Sequence, residues 1–450
     1  MSALYISASV AVLALFLLLR GLRLAPTRPL PPGPRGLPFV GNLFQLPSKL
    51  MWFQMVEWSK EYGPMFSYTI LGQTVIVLTR VKEATDLLDR MSAKTSDRPR
   101  MIKLSEHMCR RMEFASSSIA WRSLFGHETI PLLGFDPTKP IEEFSAEIFR
   151  CVVPGGSIVD VFRFLNPIIL RFKYFRRYSD RCYQTITAFF LKAYSDPQVD
   201  TVPSLSSKLK GNKERFGMKD DIDCSWVGGT LFIAAQDTTA TSLRWFFVAM
   251  LLYPETALAA RAQLASVVGD RPPSFSDSER LPQIDALVKE LLRWRPAAAG
   301  GIPHMANEDI IYKNYLIPKG AIISPVAWSI CRDPSLYPNG DTFDPSRFLD
   351  EMGNIKRPAQ HSHDDYLAFG HGRRICVGKN LAINTLWITI ATLLWAFDFQ
   401  LSVDEHGQEV APDPMAFWDN GATVWPAKFG ARLVPRVEDL REKLKASMGK

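Results

Sequence analysis

The residues best suited by type to do chemistry are concentrated in one short string, Phe369-Gly370-His371-Gly372-Arg373-Arg374-Ile375-Cys376-Val377-Gly378. Cys376 stands just before a largely apolar stretch, Gly378 to Phe397, that reads as a helix. Unpaired N–H groups and the positive dipole end at a helix start favour a thiolate over a thiol. Gly370, Gly372 and Gly378 permit tight turns and a close approach of backbone to a flat ligand. Arg373 and Arg374 add positive charge and donors able to hold a carboxylate of a cofactor. A thiolate is the haem ligand that pushes electron density onto iron and favours O–O cleavage. The competing reading is a glycine-rich loop with an incidental buried cysteine. The other five cysteines (Cys109, Cys151, Cys182, Cys224 and Cys331) are scattered, form no CxxC pair, and read as reduced, mostly buried thiols.

Two further constellations carry polar groups where they are costly. Asp237-Thr238-Thr239 lies inside an apolar run that includes Phe232, Ile233, Leu243 and Phe246, so an acid there needs a purpose. The threonines alternatively bond back to helix carbonyls, which is common in helix interiors. Glu290 and Arg293, three residues apart, share one helix face and can pair. In isolation such a pair reads as a surface ion pair.

The elements that must position these groups are mainly helical, with a minor β part. Phe66 to Thr79 holds two β-type runs broken at Gly72-Gln73, the mark of a hairpin. Val81 to Arg90 reads as a short helix, residues 91–143 as irregular, and Phe144 to Tyr194 as helical with breaks at Pro154-Gly155-Gly156 and Pro167. A lysine-rich loop is expected over roughly 200–219. Asp220 to Tyr253 is a long helix, with acids at its start and Pro254 at its stop. Pro254 to Val268 and Pro282 to Trp294 are further helices. Ile310 to Val326 reads as strands around the turn Pro318-Lys319-Gly320, and the last 50 residues as mostly strand and loop.

Residues 1–20 form a candidate transmembrane helix: Met1 to Leu19 carry no charge, and Arg20, Arg23 and Arg28 follow. A helix of that length spans about 28 Å, close to the hydrocarbon core. Basic residues on the downstream side place that side in the cytosol. A cleaved signal peptide would carry its positive charge before the apolar run. Residues 21–41 form a basic, proline-rich linker that reads as a stiff spacer. Residues 42–436 form the catalytic body and 437–450 a polar tail. The chain has 450 residues, 47% hydrophobic and 22% charged, with net charge +7 spread along its length. That excess suits an acidic protein partner or an anionic membrane surface. No concentrated basic stripe with interleaved aromatics argues for nucleic acid.

The cysteine string matches FGxGxRxCxG at every fixed position, and with it the chain resembles the cytochrome P-450 family, from the N-terminal anchor to the C-terminus. The resemblance implies a P-450-like fold and haem b held by Cys376 as the axial iron ligand. It places Arg374 on a haem propionate, Phe369 beneath the haem near the sulfur, and His304, in Ile302-Pro-His-Met305, on a second propionate. A satisfied structural histidine is the alternative for His304. Phe343-Asp-Pro-Ser-Arg347-Phe348 is similar to the family's later arginine motif, so Arg347 would complete a buried network with Glu290 and Arg293. Asp237 and Thr238 would be the acid–alcohol pair that relays protons during dioxygen reduction. Ala235 and Ser346 replace the more usual glycine and glutamate.

The Trp-x-x-x-Arg motif of relatives has only its tryptophan here, in Trp121-Arg122-Ser-Leu-Phe125, and the region 100–150 is shorter than in relatives. The implied activity is monooxygenation of a lipophilic small molecule, with NADPH electrons delivered by a separate reductase near Arg373 and Lys379. The chain most resembles the fungal membrane-bound branch, which implies secondary-metabolite biosynthesis at the endoplasmic reticulum. Two alternatives stay open at this point: a haem-thiolate isomerase or dehydratase, and a non-catalytic membrane-bound remnant.

Overall fold

A computed structural model describes residues 28–99, 120–127, 173–196, 202–358, 365–419 and 421–448. The expected membrane helix over residues 1–20 lies outside them, as do residues 100–119 and 128–172. Among the described residues no single helix is long and apolar enough to cross a membrane.

Helix α1 (Met51–Tyr62) packs Trp52, Met55 and Trp58 onto a four-stranded sheet. Strands β1 (Met65–Ile70) and β2 (Gln73–Leu78) pair as the expected antiparallel hairpin. Their two-residue turn, Leu71-Gly72, has positive φ at both positions, the geometry whose twist suits paired strands. Helix α2 (Val81–Ala84) runs on into a π-helical turn, Thr85–Arg90. Downstream come α3 (Lys173–Ser195) and α4 (Asp221–Leu252). The Asp220 side chain caps α4 by accepting from the Asp223 N–H. Pro254 starts α5 (Pro254–Val267) at its first turn, where a missing N–H costs nothing, and the chain bends by 101° between the two helices. Helix α6 (Pro282–Trp294) has the same bounds that the sequence suggests.

Strands β3 (His304–Met305), β4 (Ile310–Tyr312), β5 (Tyr315–Ile317) and β6 (Ile322–Pro325) follow. Strand β6 lies parallel to β2 and antiparallel to β3, giving the order β1-β2-β6-β3. Helix α7 (Lys379–Ala396) follows the cysteine loop. The C-terminal part contributes β7 (Phe397–Val403), β8 (Glu409–Val410), β9 (Phe417–Asp419), β10 (Val424–Pro426) and β11 (Ala431–Pro435).

The largest apolar cluster joins α4, α5, α6 and α7, with Phe246, Leu291, Ile390 and Leu394 fully buried. Each such side chain contributes about 1.5–3 kcal/mol. Helix α4 is buried on nearly every side, which is why its sequence shows little amphipathic pattern.

Two segments differ from the sequence reading. The lysine-rich loop contains a helix, Leu205–Lys210, started by a reciprocal cap between Ser204 and Ser207. The polar tail contains Leu440–Met448, a helix whose Leu440 and Leu444 pack against the main cluster. In both, a local signal (a cap, an i,i+4 leucine pair) outweighs polar composition.

Candidate active site

The cysteine loop is moulded against the π-helical turn. Gly372 has φ +59, and a Cβ there would meet the Leu88 carbonyl oxygen at 1.9 Å, so no side chain fits. Its N–H donates to Asp89, whose other carboxylate oxygen lies 3.4 Å from His371 Nδ1. Asp89 carries no sequence signal, since its partners are 282 and 283 residues away. Gly370, with φ +81, turns the chain so that the Cys376 N–H donates to the Phe369 carbonyl at 2.9 Å. The Phe369 ring packs at the edge of the main cluster, 6.0 Å from the Tyr366 ring.

Cys376 is exposed, and so are its neighbours Ile375 and Val377, the latter 81% exposed. Burial of the sulfur still pushes the thiol up, against the Gly378 N–H that favours the thiolate. Arg374 turns away, its Nε donating to the Ser96 carbonyl at 2.7 Å, and Arg373 points to solvent.

A cationic edge lies beside this loop. His304 is buried, and its Nδ1 sits 3.0 Å from the Thr95 carbonyl. Arg98 donates through Nη1 to the carbonyls of Ile302 and Pro303. Arg98, His304 and Arg374 thus converge on the segment 95–98, and among the described residues no carboxylate pairs with either arginine. Burial and Arg374 lower the Arg98 pKa. Burial, with Arg98 next, lowers His304 to about 4. Three cationic or protonatable groups beside an exposed thiol flanked by two exposed apolar side chains fit a flat, apolar group carrying carboxylates, as haem does. Arg98 escaped the sequence reading because its partners are backbone carbonyls some two hundred residues away.

His304 gives a pH test. Its folded value lies below the ordinary 6.5, so unfolding takes up a proton between the two values. In the haem-free chain, stability is fully present above pH 6.5 and is lost as pH falls through about 4, by at most about 3 kcal/mol. His304→Asn is expected to flatten that loss in urea titrations run from pH 7 to 4. An equal slope in both proteins would contradict it.

Glu290, Arg293 and Arg347 come together. Arg293 Nε and Nη2 grip the two Glu290 oxygens at 2.6 and 2.7 Å, with both residues buried. Arg347 Nε lies 3.5 Å from Glu290 Oε1. Burial pushes the Arg293 guanidinium down, and the Glu290 carboxylate more than offsets it. The network joins α6 to the segment before the cysteine loop; its groups do not face the thiol.

Asp237 and Thr238, adjacent on α4, are served by different partners. Thr238 Oγ1 donates to the Ala234 carbonyl at 2.8 Å, the back-bonded state, while Ala234 is exposed and Thr238 half-buried. Asp237 is buried and accepts a short hydrogen bond from Thr423. Trp121 stacks on His127 at 4.8 Å and meets Phe232 edge-on at 5.5 Å. Phe125, at the step where relatives place an arginine, is fully buried in that apolar cluster.

A mainly helical fold with a small β part holds the cysteine loop open beside a cationic edge, an arrangement that suits a haem-thiolate protein. The chain matches the profile of the family described as Cytochrome P450 over residues 31–153 and 131–418. It is 34% identical to a cytochrome P450 monooxygenase of Armillaria gallica, covering 92% of this chain and 91% of that one. It is 33% identical to cytochrome P450 monooxygenase 58 of Postia placenta, covering 91% and 90%. A third relative, cytochrome P450 monooxygenase claR of Ampulloclitocybe clavipes, is 30% identical, covering 96% and 91%. The chain belongs to the cytochrome P450 family and is a monooxygenase, with the haem and separate electron donor that the family implies. The first alignment runs over 478 positions, more than the 450 residues present, so that relative carries segments without a counterpart here.

Proposed function

We propose that this monooxygenase binds haem b through Cys376 and inserts one oxygen atom of dioxygen into a lipophilic small molecule of secondary metabolism. The observation that carries this reading is the exposed thiol beside the edge formed by Arg98, His304 and Arg374. Bound there, haem supplies the redox iron at which dioxygen is reduced. The chain's own residues do the rest. Arg98, Arg374 and His304 would hold the propionates, and Phe369 packs at the edge of the main cluster beside the loop that carries the sulfur. Asp237 gives up protons by way of Thr238, whose hydroxyl oxygen keeps acceptor capacity while its proton is held by the Ala234 carbonyl.

A cavity of 350 Å³, within the range of small-molecule sites, lies between α1, the four-stranded sheet and the β9–β10 turn. Its lining includes none of Cys376, Asp237 and Thr238, so it suits the approach of a lipophilic substrate rather than the reacting position. Met51, Trp52, Met55, Val75, Ile322 and Val326 contribute to its apolar wall. Gly300 and Gly301 form its side next to His304. Gly301 has φ +72, and a Cβ there would meet the Pro325 carbonyl oxygen at 1.7 Å, so the backbone itself closes that side.

Electrons come from NADPH through a separate reductase whose acidic face meets Arg373 and Lys379. The apolar run at residues 1–20 anchors the chain in the endoplasmic reticulum membrane with its catalytic body in the cytosol. Support for the metabolic role is the likeness to fungal relatives; support against an isomerase or dehydratase is the Asp237-Thr238 pair, which oxygen reduction needs and a redox-neutral rearrangement does not.

The test is a product screen of the full chain with a reductase and NADPH against lipophilic candidates. Asp237→Asn is expected to slow the reductase-supported reaction by about 10²-fold, the ordinary weight of one proton-transfer group, with haem content unchanged. Turnover that needs no NADPH would end the monooxygenase mechanism.

A further inference from the structure

The carboxylate of Asp237 is not left to find its own orientation. Although Ala234 and Thr238 beside it are open or half-open, Asp237 is buried against the β9–β10 hairpin. Thr423 Oγ1 donates to Asp237 Oδ2. Trp425 Nε1 donates to Thr423 Oγ1 at 3.0 Å. An indole N–H can only donate, so Thr423 must accept there, and its single proton goes to Asp237. A donor held on one carboxylate oxygen fixes the rotation of the group.

The hairpin itself is fastened on several sides. The Val424 N–H donates to the Ala297 carbonyl at 2.9 Å, and Trp245 Nε1, from α4, donates to the Val424 carbonyl at 2.8 Å. Asp419 accepts from the Leu50 N–H at 2.9 Å. The Trp425 ring stacks on Trp418 at 4.6 Å, and the Arg244 guanidinium stands 4.1 Å from its centroid. Arg244 lies seven residues after Asp237 on α4, so the same helix face that carries the acid also grips the indole. Thr423 is 1% exposed, a buried polar side chain that donates to Asp237 and accepts from Trp425.

We propose that Thr423, oriented by Trp425, is the positioning residue that holds Asp237 for proton delivery. The proposal rests on the reading of Asp237 as the proton-relaying acid. Thr423 does not touch the reacting atoms; it sets the carboxylate's rotation.

The experiment uses the full haem-loaded chain with a reductase, reading NADPH oxidation under air, the fraction of electrons released as hydrogen peroxide, and the solvent deuterium isotope effect. Thr423→Val is expected to slow NADPH oxidation by about 10-fold and to raise the isotope effect, because the acid loses its fixed orientation. Thr423→Ser, which keeps the hydroxyl, restores the rate to within about 3-fold of the native chain. The double variant Thr423→Val/Asp237→Asn is no slower than Asp237→Asn alone, since both changes remove one function. A readout independent of turnover is the indole N–H proton resonance of Trp425, assigned through Trp425→Phe, which shifts in Asp237→Asn. Additive losses in the double variant, or a Thr423→Val protein with native rate and isotope effect, overturn the proposal. An unaffected Asp237→Asn overturns the underlying relay reading instead, and the proposal with it.

Discussion

Cys376→Ser is expected to abolish the thiolate-type carbon monoxide difference spectrum of the reduced protein, while urea unfolding of the haem-free chain changes by no more than about 1 kcal/mol. The two halves of this expectation have different causes. The loss follows from the place of Cys376 in the loop, and among the described residues no other thiol can stand in. Cys224 and Cys331 are buried, and burial pushes the Cys331 thiol up to about 11. The small cost to the fold follows from what Cys376 touches. Its sulfur accepts the Gly378 N–H, a bond that a serine oxygen can also accept, and the side chain is otherwise exposed. The loop keeps its shape through the Phe369 carbonyl, Asp89 and Leu88, none of which involves the sulfur. A serine variant that kept the native spectrum would remove Cys376 from the iron and the proposed chemistry with it.

Much of the scaffold was legible because its signals are local. The β1–β2 hairpin shows itself in two apolar runs and a glycine, and α6 in Pro282 at its start and the Glu290–Arg293 spacing within it. The site was legible only where a motif crosses few residues, as in the string from Phe369 to Gly378. Asp89, Arg98 and Thr423 were not, and the reason is the same for each. Asp89 is a surface-type acid that a π-helical turn aims at a loop 283 residues away. Arg98 meets two carbonyls, which any residue can supply. Thr423 meets an acid 186 residues away through a hydroxyl that also suits an exposed turn.

Arg293→Lys is expected to cost nearly as much as Arg293→Ala, about 3–5 kcal/mol, a large part of a domain's stability, and to leave little soluble haem-binding protein. Charge alone is not what the site uses. Nε and Nη2 meet both Glu290 oxygens, Nη1 meets the carbonyls of Cys331 and Gly340 at 3.1 and 2.8 Å, and Nη2 also reaches the Thr342 carbonyl at 3.2 Å. A lysine ammonium offers three donors from one point and cannot span a fork of that width. The carbonyls of residues 331, 340 and 342 and the Glu290 carboxylate would then be buried with partners missing, and the acid would carry an uncompensated charge. Arg347→Lys is the control. Arg347 stands at 3.5 Å from Glu290 and its other partners, the Pro338 and Asn339 carbonyls, lie at the exposed rim, so its loss costs about 1 kcal/mol. Urea midpoints and haem yield for the three variants separate these cases. Native stability in Arg293→Lys would show that the network needs only a positive charge, and that the geometry of the fork does not hold the segment leading to Cys376.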